Sequence, residues 1–593
     1  MSSMSTSPQA TATATASSGA SHEAWLMARQ KLNTTTLIQY AASLSALIGV
    51  FIIAHWLRFI VVKLGWSRSR SPILLPFIAL TRVTRRFFVR SLPGFTSVGH
   101  AVLVLVYVAL NATFSFYNVD YSVSANVAAR FGWMATGNMV FVVFLALKNT
   151  PLAFLTAYSY ERLNVLHQIA GYTTMLYVIL HGSIYASYFI GAGRISVLQE
   201  DVVTAGIVAG FTMLASVMAG MVLRRFNYEL FYIAHVILFL AIVVGLGLHR
   251  PEFKAEQTLY ATVILAALWF ADRLIRVCRL AYNSINNEAN IYALPDGGTR
   301  IVLKKPISRA RPGKHCYVWL PKIRTFETHP FTIVANDPFE LVINSYSGFT
   351  RSLHDHAMKN PGASLKVSVE GPYGTLPDPM DFDKVVLVAG GSGATFTFGI
   401  ASDMLSRMSE NSKQQIDFIW AVKGHDNLTW FTQHLNNLLN HVHAPKIALK
   451  VHVTRLGPSS LRNPSLATSD TSTTDLGPSA LEKGTPDYIA SSGPASSAAT
   501  RYESDREEKD AAQHMDLPSA ATSTTNLNLP IRTGRPDTEA EIKAAVNSMT
   551  KNQRVLIASC GPDALSNVVR NVAASCIRVD GPAVEVHCEQ FGW

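Results

Sequence analysis

Seven apolar runs, at about 37–57, 98–117, 131–148, 163–190, 202–223, 228–249 and 257–278, dominate the first half of the chain. Each is close to the roughly 20 residues that an α-helix needs to cross a bilayer core. Such runs leave few choices of fold, because in lipid every backbone N–H and C=O must be paired, and a helix pairs them within its own segment. A helical membrane bundle over 37–280 is therefore predicted. Charged residues make up only 15% of the 593 and the mean hydropathy is +0.19, too apolar for an ordinary soluble protein.

The formal charge of +11 could suggest a nucleic-acid partner, but much of it lies in short loops beside the apolar runs. Lys63, Arg68, Arg70, Arg82, Arg85, Arg86 and Arg90 follow the first run with no acidic residue among them. Arg162, Arg224, Arg225, Arg273, Arg276 and Arg279 fall on the same side by alternation. The opposite loops mix signs: Asp120 with Arg130, Arg194 with Glu200 and Asp201, Arg250 with Glu252. This is the positive-inside pattern, so no nucleic acid is called for. It puts the N-terminus outside and the C-terminal half in the cytosol. Residues 1–36, rich in Ser, Thr and Ala and without a charged-then-apolar leader, are expected to be a disordered extracytoplasmic tail, the first helix itself targeting the chain. The sequon at Asn33–Thr35 would then lie outside, open to glycosylation; Asn427–Thr429 has the same pattern in a region expected to be cytosolic. The five cysteines show neither metal-type spacing nor a disulfide framework.

His167 and His181 share one expected span, and His235 and His249 another, each pair 14 residues apart. At 100° per residue that step falls about 40° short of four turns, so both histidines of a pair lie on one face. The rise of about 21 Å puts one near each side of the hydrocarbon core. With one helix returning between them, the two spans run parallel; His167 then faces His235 on the cytosolic side, and His181 faces His249 on the outer side. Facing imidazoles can ligate a haem iron axially, and two levels make two stacked b-type haems with no open iron position. His55 and His100, alone in their runs, read as packing residues. Four in-phase histidines do not, since ionisable groups inside a membrane are costly and mark function.

After about 285 the texture becomes short β-rich runs separated by Pro/Gly turns, the pattern of a small antiparallel barrel. From about 383 strands alternate with helices, and 457–530, rich in Ser, Thr, Ala, Pro and Gly, reads as a disordered insertion within one nucleotide-binding domain. His329-Pro330-Phe331-Thr332 is followed by Gly348-Phe349-Thr350-Arg351, by Gly371-Pro372-Tyr373-Gly374, and by Gly390-Gly391-Ser392-Gly393-Ala394-Thr395. The last stands between an apolar strand and a helix, where glycines let backbone N–H groups approach a pyrophosphate.

In this order the motifs resemble those of the fungal ferric-chelate reductases, within the superfamily that also contains the NADPH oxidases. The likeness runs from about 90 to 593 apart from the insertion. It implies a multidomain fold: an α-helical transmembrane haem bundle of about seven spans (37–280), a ferredoxin-reductase-like β-barrel FAD domain (281–380), and an α/β NADPH-binding domain (381–593). By the same resemblance His329–Thr332 is the flavin-ring motif and Gly348 to Thr350 the FAD-phosphate turn. Gly371–Gly374 and Gly390–Thr395 are NADPH contacts. Gly534-Arg535-Pro536 and Cys560-Gly561-Pro562 are further nucleotide motifs, and the aromatic terminus ending in Trp593 covers the flavin. Ala394 departs from the family's usual Ile. The implied activity is NADPH-dependent ferric-chelate reduction for iron uptake, through FAD and two haems. The acceptors are extracytoplasmic Fe(III) chelates or siderophores, or Cu(II). The rival reading is an NADPH oxidase making superoxide. Arg194, Arg250 and Lys254 either draw anionic chelates to the outer haem or anchor helix ends at the interface.

Overall fold

A computed structural model describes residues 8–65, 75–250, 256–455 and 531–589, with the side chains of 8–22 and Glu161 outside the description. Arg68, Arg70, Glu252, Lys254, the 457–530 insertion and Trp593 lie outside the described residues. The first half is helical: α1 (Pro8–Lys63), α2 (Leu75–Phe88), α3 (Val98–Phe116), α4 (Ser124–Ala146), the short α5 (Leu152–Thr156), α6 (Tyr160–Gly191) and α7 (Asp201–Met218). A π turn, Ala219–Leu223, leads into α8 (Arg224–Phe226), followed by α9 (Tyr228–Leu248) and α10 (Glu256–Ser284).

Among the described residues six helices are long and apolar enough to cross a membrane: α1, α3, α4, α6, α7 continued by α8, and α9. The seventh expected span forms as α10 but is less apolar, because Asp272, Arg273 and Arg276 occupy its second half. The expected disordered tail is helical from Pro8 onward. Proline is tolerated in a first helical turn, and extending an existing helix costs little compared with nucleating one.

α4 is the centre of the bundle and its most enclosed helix. Gly132 and Gly137 let neighbours approach: a Cβ at Gly137 would lie 2.5 Å from the Leu37 side chain. α1 is pinned by a buried polar cluster, in which the Tyr40 hydroxyl donates to Asn138 Oδ1 at 2.8 Å and Asn138 Nδ2 donates to Asn111 Oδ1 at 2.8 Å. Tyr107 also donates to Asn138 Oδ1, at 2.5 Å, and Ser115 donates to the Tyr177 hydroxyl at 2.8 Å. Asn33 is enclosed too, its Oδ1 accepting from Arg130 Nε at 2.7 Å. This overturns the expectation of a glycan there. Arg130, expected in an outer loop, instead lies in α4 and donates to the carbonyls of Phe114, Tyr117 and Asn118 that end α3.

The soluble half begins with β1 (Glu288–Leu294), β2 (Gly298–Leu303), β3 (His315–Trp319), β4 (His329–Asn336) and β5 (Phe339–Asn344), then α11 (Phe349–Lys359), β6 (Ser364–Lys366) and β7 (Ser368–Tyr373). These strands form one antiparallel sheet in the order β6-β1-β2-β5-β4-β3-β7. No recorded pairing joins β6 to β7, so the expected barrel layout is present without hydrogen-bonded closure among the described strands. One apolar core under α11 holds it together, including Ile291, Ile301, Val318, Ile333, Leu341 and Phe349.

The second sheet contains β8 (Lys384–Gly390), β9 (Gln415–Val422), β10 (Ile447–Val453), β11 (Ile531–Thr533), β12 (Arg554–Cys560) and β13 (Ala583–Glu589). Its helices are α12 (Ala394–Arg407), α13 (Thr432–Leu439), α14 (Thr538–Asn547) and α15 (Asp563–Cys576). All strand pairs are parallel, in the order β11-β10-β9-β8-β12-β13. The chain therefore winds one way from β8 to β11 and the other way through β12 and β13, leaving a switch point between β8 and β12. In open α/β sheets the ligand crevice lies at such a point, outside the carboxyl ends of the strands.

Candidate functional site

The four in-phase histidines meet in pairs. His167 on α6 and His235 on α9 have ring centres 6.3 Å apart, and His181 on α6 and His249 at the end of α9 are 6.0 Å apart. Nδ1 of His167, His181 and His249 lies 2.9, 2.8 and 2.7 Å from the carbonyl oxygens of Val142, Ala128 and Val202. A carbonyl only accepts, so Nδ1 carries the proton and Nε2 is the lone-pair atom of each ring. His235 Nδ1 is 2.9 Å from Ser216 Oγ. Metal-bound histidines are commonly held in this way from their other nitrogen. Two metal–nitrogen bonds of about 2 Å, with about 1 Å from each nitrogen to its ring centre, sum to roughly 6 Å, the spacing of both pairs.

Two glycines that spacing alone does not reveal make room for this. A Cβ on Gly132 of α4 would lie 2.6 Å from His181 Nδ1, and one on Gly206 of α7 would run into the His249 ring. Arg194 and Arg250 are exposed beyond the His181–His249 level, with the Arg194 guanidinium 5.8 Å from the Phe189 ring centre.

The His167–His235 level lies toward the soluble half. Glu229 opens α9, and its Oε1 accepts from the Phe349 backbone N–H at 3.2 Å. Six residues of helix separate Glu229 from His235, a rise of about 9 Å. Gly348 caps α11 at φ +60, where a Cβ would lie 2.6 Å from that same carboxylate oxygen. The first two motifs therefore come together: the His329 ring stacks on Phe349 with centres 4.2 Å apart, and Phe331 flanks it at 6.1 Å. Burial pushes the His329 imidazole down to about 4, so its 3.2 Å contact with Glu327 is a hydrogen bond at neutral pH and not an ion pair. Thr350 Oγ1 accepts from the Tyr346 backbone N–H at 3.0 Å and holds the turn.

The third motif ends β7, next to β3. The Tyr373 ring stacks with His315 at 5.9 Å, and its hydroxyl donates to Glu370. Glu370 also receives Arg276 Nε from α10, at 2.9 and 3.0 Å to its two oxygens. Burial alone would raise the Glu370 carboxyl; the Arg276 guanidinium outweighs it and holds the group below the usual carboxylate range. A Cβ on Gly371 would press on the Cys316 backbone at 3.3 Å. Nearby Lys148, just past the end of α4, sits over the Tyr317 ring, and burial followed by Arg276 pushes its ammonium well below the ordinary value.

Two of the remaining motifs line the switch point. Gly390–Gly393 follows β8 and leads into α12, while Cys560-Gly561-Pro562 follows β12. The two turns touch: a Cβ on Gly390 would lie 2.9 Å from Pro562 Cδ, and one on Gly393 would overlap the Cys560 carbonyl. Thr395 Oγ1 donates to the Ser392 carbonyl at 3.0 Å, and Gly391, at φ +59, accepts from Trp420 Nε1 at 3.2 Å. Burial raises the Cys560 thiol far above its ordinary value, so it is no thiolate nucleophile. Gly534-Arg535-Pro536 follows β11 at the sheet edge, with the Gly534 N–H donating to the Val453 carbonyl at 2.9 Å. It shares the carboxyl side of the sheet with the other turns without joining them. The described chain ends at Glu589, whose carboxyl burial would raise; the His587 hydrogen bond and the charge of His315 bring it down to about 2.

Three family models match in the same order as the folded units: "Ferric reductase like transmembrane component" over 131–246, "FAD-binding domain" over 283–376, and "Ferric reductase NAD binding domain" over 382–574. The chain thus carries, in order, a ferric-reductase-like transmembrane component, an FAD-binding domain and a ferric reductase NAD-binding domain. "Ferric reductase transmembrane component 3" of Saccharomyces cerevisiae is 24% identical over 405 residues, covering 65% of this chain and 55% of the relative. "Ferric/cupric reductase transmembrane component 2" of the same yeast is 25% identical over 397 residues, covering 63% and 55%. A probable cell surface ferric reductase of Aspergillus oryzae is 26% identical over 415 residues, covering 62% and 55%. The chain spans about half the length of the curated relatives it matches. It is an integral membrane protein with FAD- and NAD-binding domains.

Proposed function

We propose that this ferric reductase moves electrons from cytosolic NADPH, through FAD and two b-type haems, to extracytoplasmic Fe(III) chelates or siderophores, or to Cu(II), at the plasma membrane. The observation that carries the reading is the pair of histidine levels on α6 and α9, with a hydrogen-bond partner at Nδ1 of every ring. Bound there and in the two soluble sheets, these groups would supply hydride and single-electron chemistry that side chains lack. The chain's own part is placement. His167 with His235, and His181 with His249, would each hold one haem iron. Gly348 to Thr350 and His329–Thr332 would bind the two ends of FAD. Gly390, Gly391, Ser392, Gly393 and Thr395 would cradle the NADPH phosphates at the α12 N-terminus, and Cys560–Pro562 would flank the nicotinamide. Gly371–Gly374, Gly534–Pro536 and Trp593 complete the proposed cofactor contacts. Glu229 ties the FAD-phosphate turn to the helix carrying His235, which shortens the route from the sheet to the first level.

Whole cells expressing the protein should reduce an impermeant Fe(III) chelate, and superoxide dismutase should leave the rate unchanged. A rate abolished by the dismutase would assign oxygen as the acceptor and the protein as an oxidase. His235→Ala should remove the component of the haem spectrum nearer the dehydrogenase.

A further inference from the structure

The three family matches begin at residue 131, so they leave α1 to α3 without a role. The basic loop between α1 and α3 does more than mark the cytosolic side. Arg82 Nη1 on α2 is cradled by three carbonyls of the nucleotide-binding domain, those of Arg578, Val579 and Gly581, at 3.0, 2.8 and 2.8 Å, which share its two hydrogens. Arg58, near the end of α1, pairs with Glu585 of β13, and Lys63 pairs with Asp381 at 3.2 Å. The Ser91 N–H donates to Asn571 Oδ1 of α15 at 3.0 Å. On the helical wheel Arg82, Arg85 and Arg86 share one arc of α2, and Phe77, Leu80, Val83 and Phe87 share the opposite arc. The apolar side chains are 55–65% exposed, and no residue of α2 is buried.

An apolar arc of this size is not left in water. We propose that α2 is an interfacial helix: its apolar arc is seated in the inner leaflet of the bilayer, and its basic arc moors the nucleotide-binding domain beneath the membrane. Continuity argues for lipid as the occupant. The loop bearing α2 leaves the bilayer at the end of one span and re-enters it at Val98. Arg90, just past the end of α2, is exposed, and a cation beside that leaflet is attracted by its anionic headgroups. Both sheets of the dehydrogenase are then attached to the membrane half: α9 and α10 hold the FAD sheet through Glu229 and Arg276, and α1 with α2 holds the nucleotide sheet. The inference rests on the proposed function only for what that second sheet binds.

The test uses the full chain in nanodiscs of phosphatidylcholine and phosphatidylserine. A spin label at Leu80→Cys, in a Cys278→Ser background, should collide with oxygen severalfold more than with a water-soluble nickel chelate. The same label at Met358→Cys, on the exposed face of α11, should show the reverse. A water-like ratio at position 80 overturns the seating. Arg82→Ala should speed amide exchange at 578–581 at least tenfold and slow flavin reduction by NADPH severalfold, with dithionite reduction of the haems unchanged. Arg58→Glu should act likewise, and Arg58→Glu with Glu585→Arg should restore it. Wild-type exchange and flavin reduction in Arg82→Ala overturn the mooring. A wild type without flavin and haem spectra would sink the proposed function, yet the label and exchange measurements would still decide the inference.

Discussion

Glu370→Gln is the substitution that most directly tests how the membrane half grips the FAD sheet. Glu370 is fully enclosed and Arg276 is 8% exposed, so the pair has little water to fall back on. Removing the carboxylate charge leaves the guanidinium buried and uncompensated, at a cost of about 3–5 kcal/mol. At roughly 4–8 °C per kcal/mol for a domain of about 100 residues, the midpoint of heat-induced flavin release should fall by at least about 12 °C. Arg276→Met should do the same. The double replacement, Arg276→Met with Glu370→Met, should lie near wild type, because an apolar pair of similar volume escapes the desolvation penalty. Added salt should change none of this, since a buried pair is poorly screened. The Glu370 carboxyl is held below its ordinary value, so its contribution is complete above the ordinary carboxylate range and is lost as pH falls through the depressed one. If both single variants release flavin within about 2 °C of wild type, the pair does not fasten the two halves.

Other outcomes follow from the geometry. Gly206→Ala drives a Cβ into the His249 ring and should reduce a two-component redox titration of the haems to one, the level nearer the dehydrogenase surviving. His329, with a folded value of about 4 against an ordinary 6.5, binds fewer protons folded than unfolded between those limits. Stability should therefore fall by up to about 3 kcal/mol as pH drops through that window, an acid sensitivity that His329→Gln removes; unfolding midpoints at both ends of the window check it. Gly393→Ala forces a Cβ onto the Cys560 carbonyl and should cost about 1–3 kcal/mol of stability, along with a raised KM for NADPH.

The histidine pairs were legible in the sequence because helix geometry turns a 14-residue step into a shared face without knowledge of the rest of the fold. The Gly390–Thr395 turn was legible for a similar reason: strand, turn and helix are consecutive. What escaped depends on which element lies opposite. Gly132 and Gly206 look like ordinary small residues of a span until His181 and His249 are packed against them. Tyr40, Asn111 and Asn138 are far apart in the chain, and only the packed bundle makes them one hydrogen-bonded cluster. Asn33 carries a surface signal, yet its amide is bonded to Arg130, which the charge count had placed in a loop. Likewise α10 reads as a plain span until Arg276 finds Glu370 in a different domain.

The partners behind the four imidazoles differ in one heritable respect. Val142, Ala128 and Val202 contribute main-chain carbonyls, which no codon change removes while the helices keep their register. Ser216 alone contributes a side chain, to His235. On the proposed haem reading, a single nucleotide change can therefore retune the basicity of His235, at the level nearer the dehydrogenase, while the outer level is insulated from such drift. Lineages adapting this protein to donors or acceptors of different potential would find their easiest adjustment at position 216.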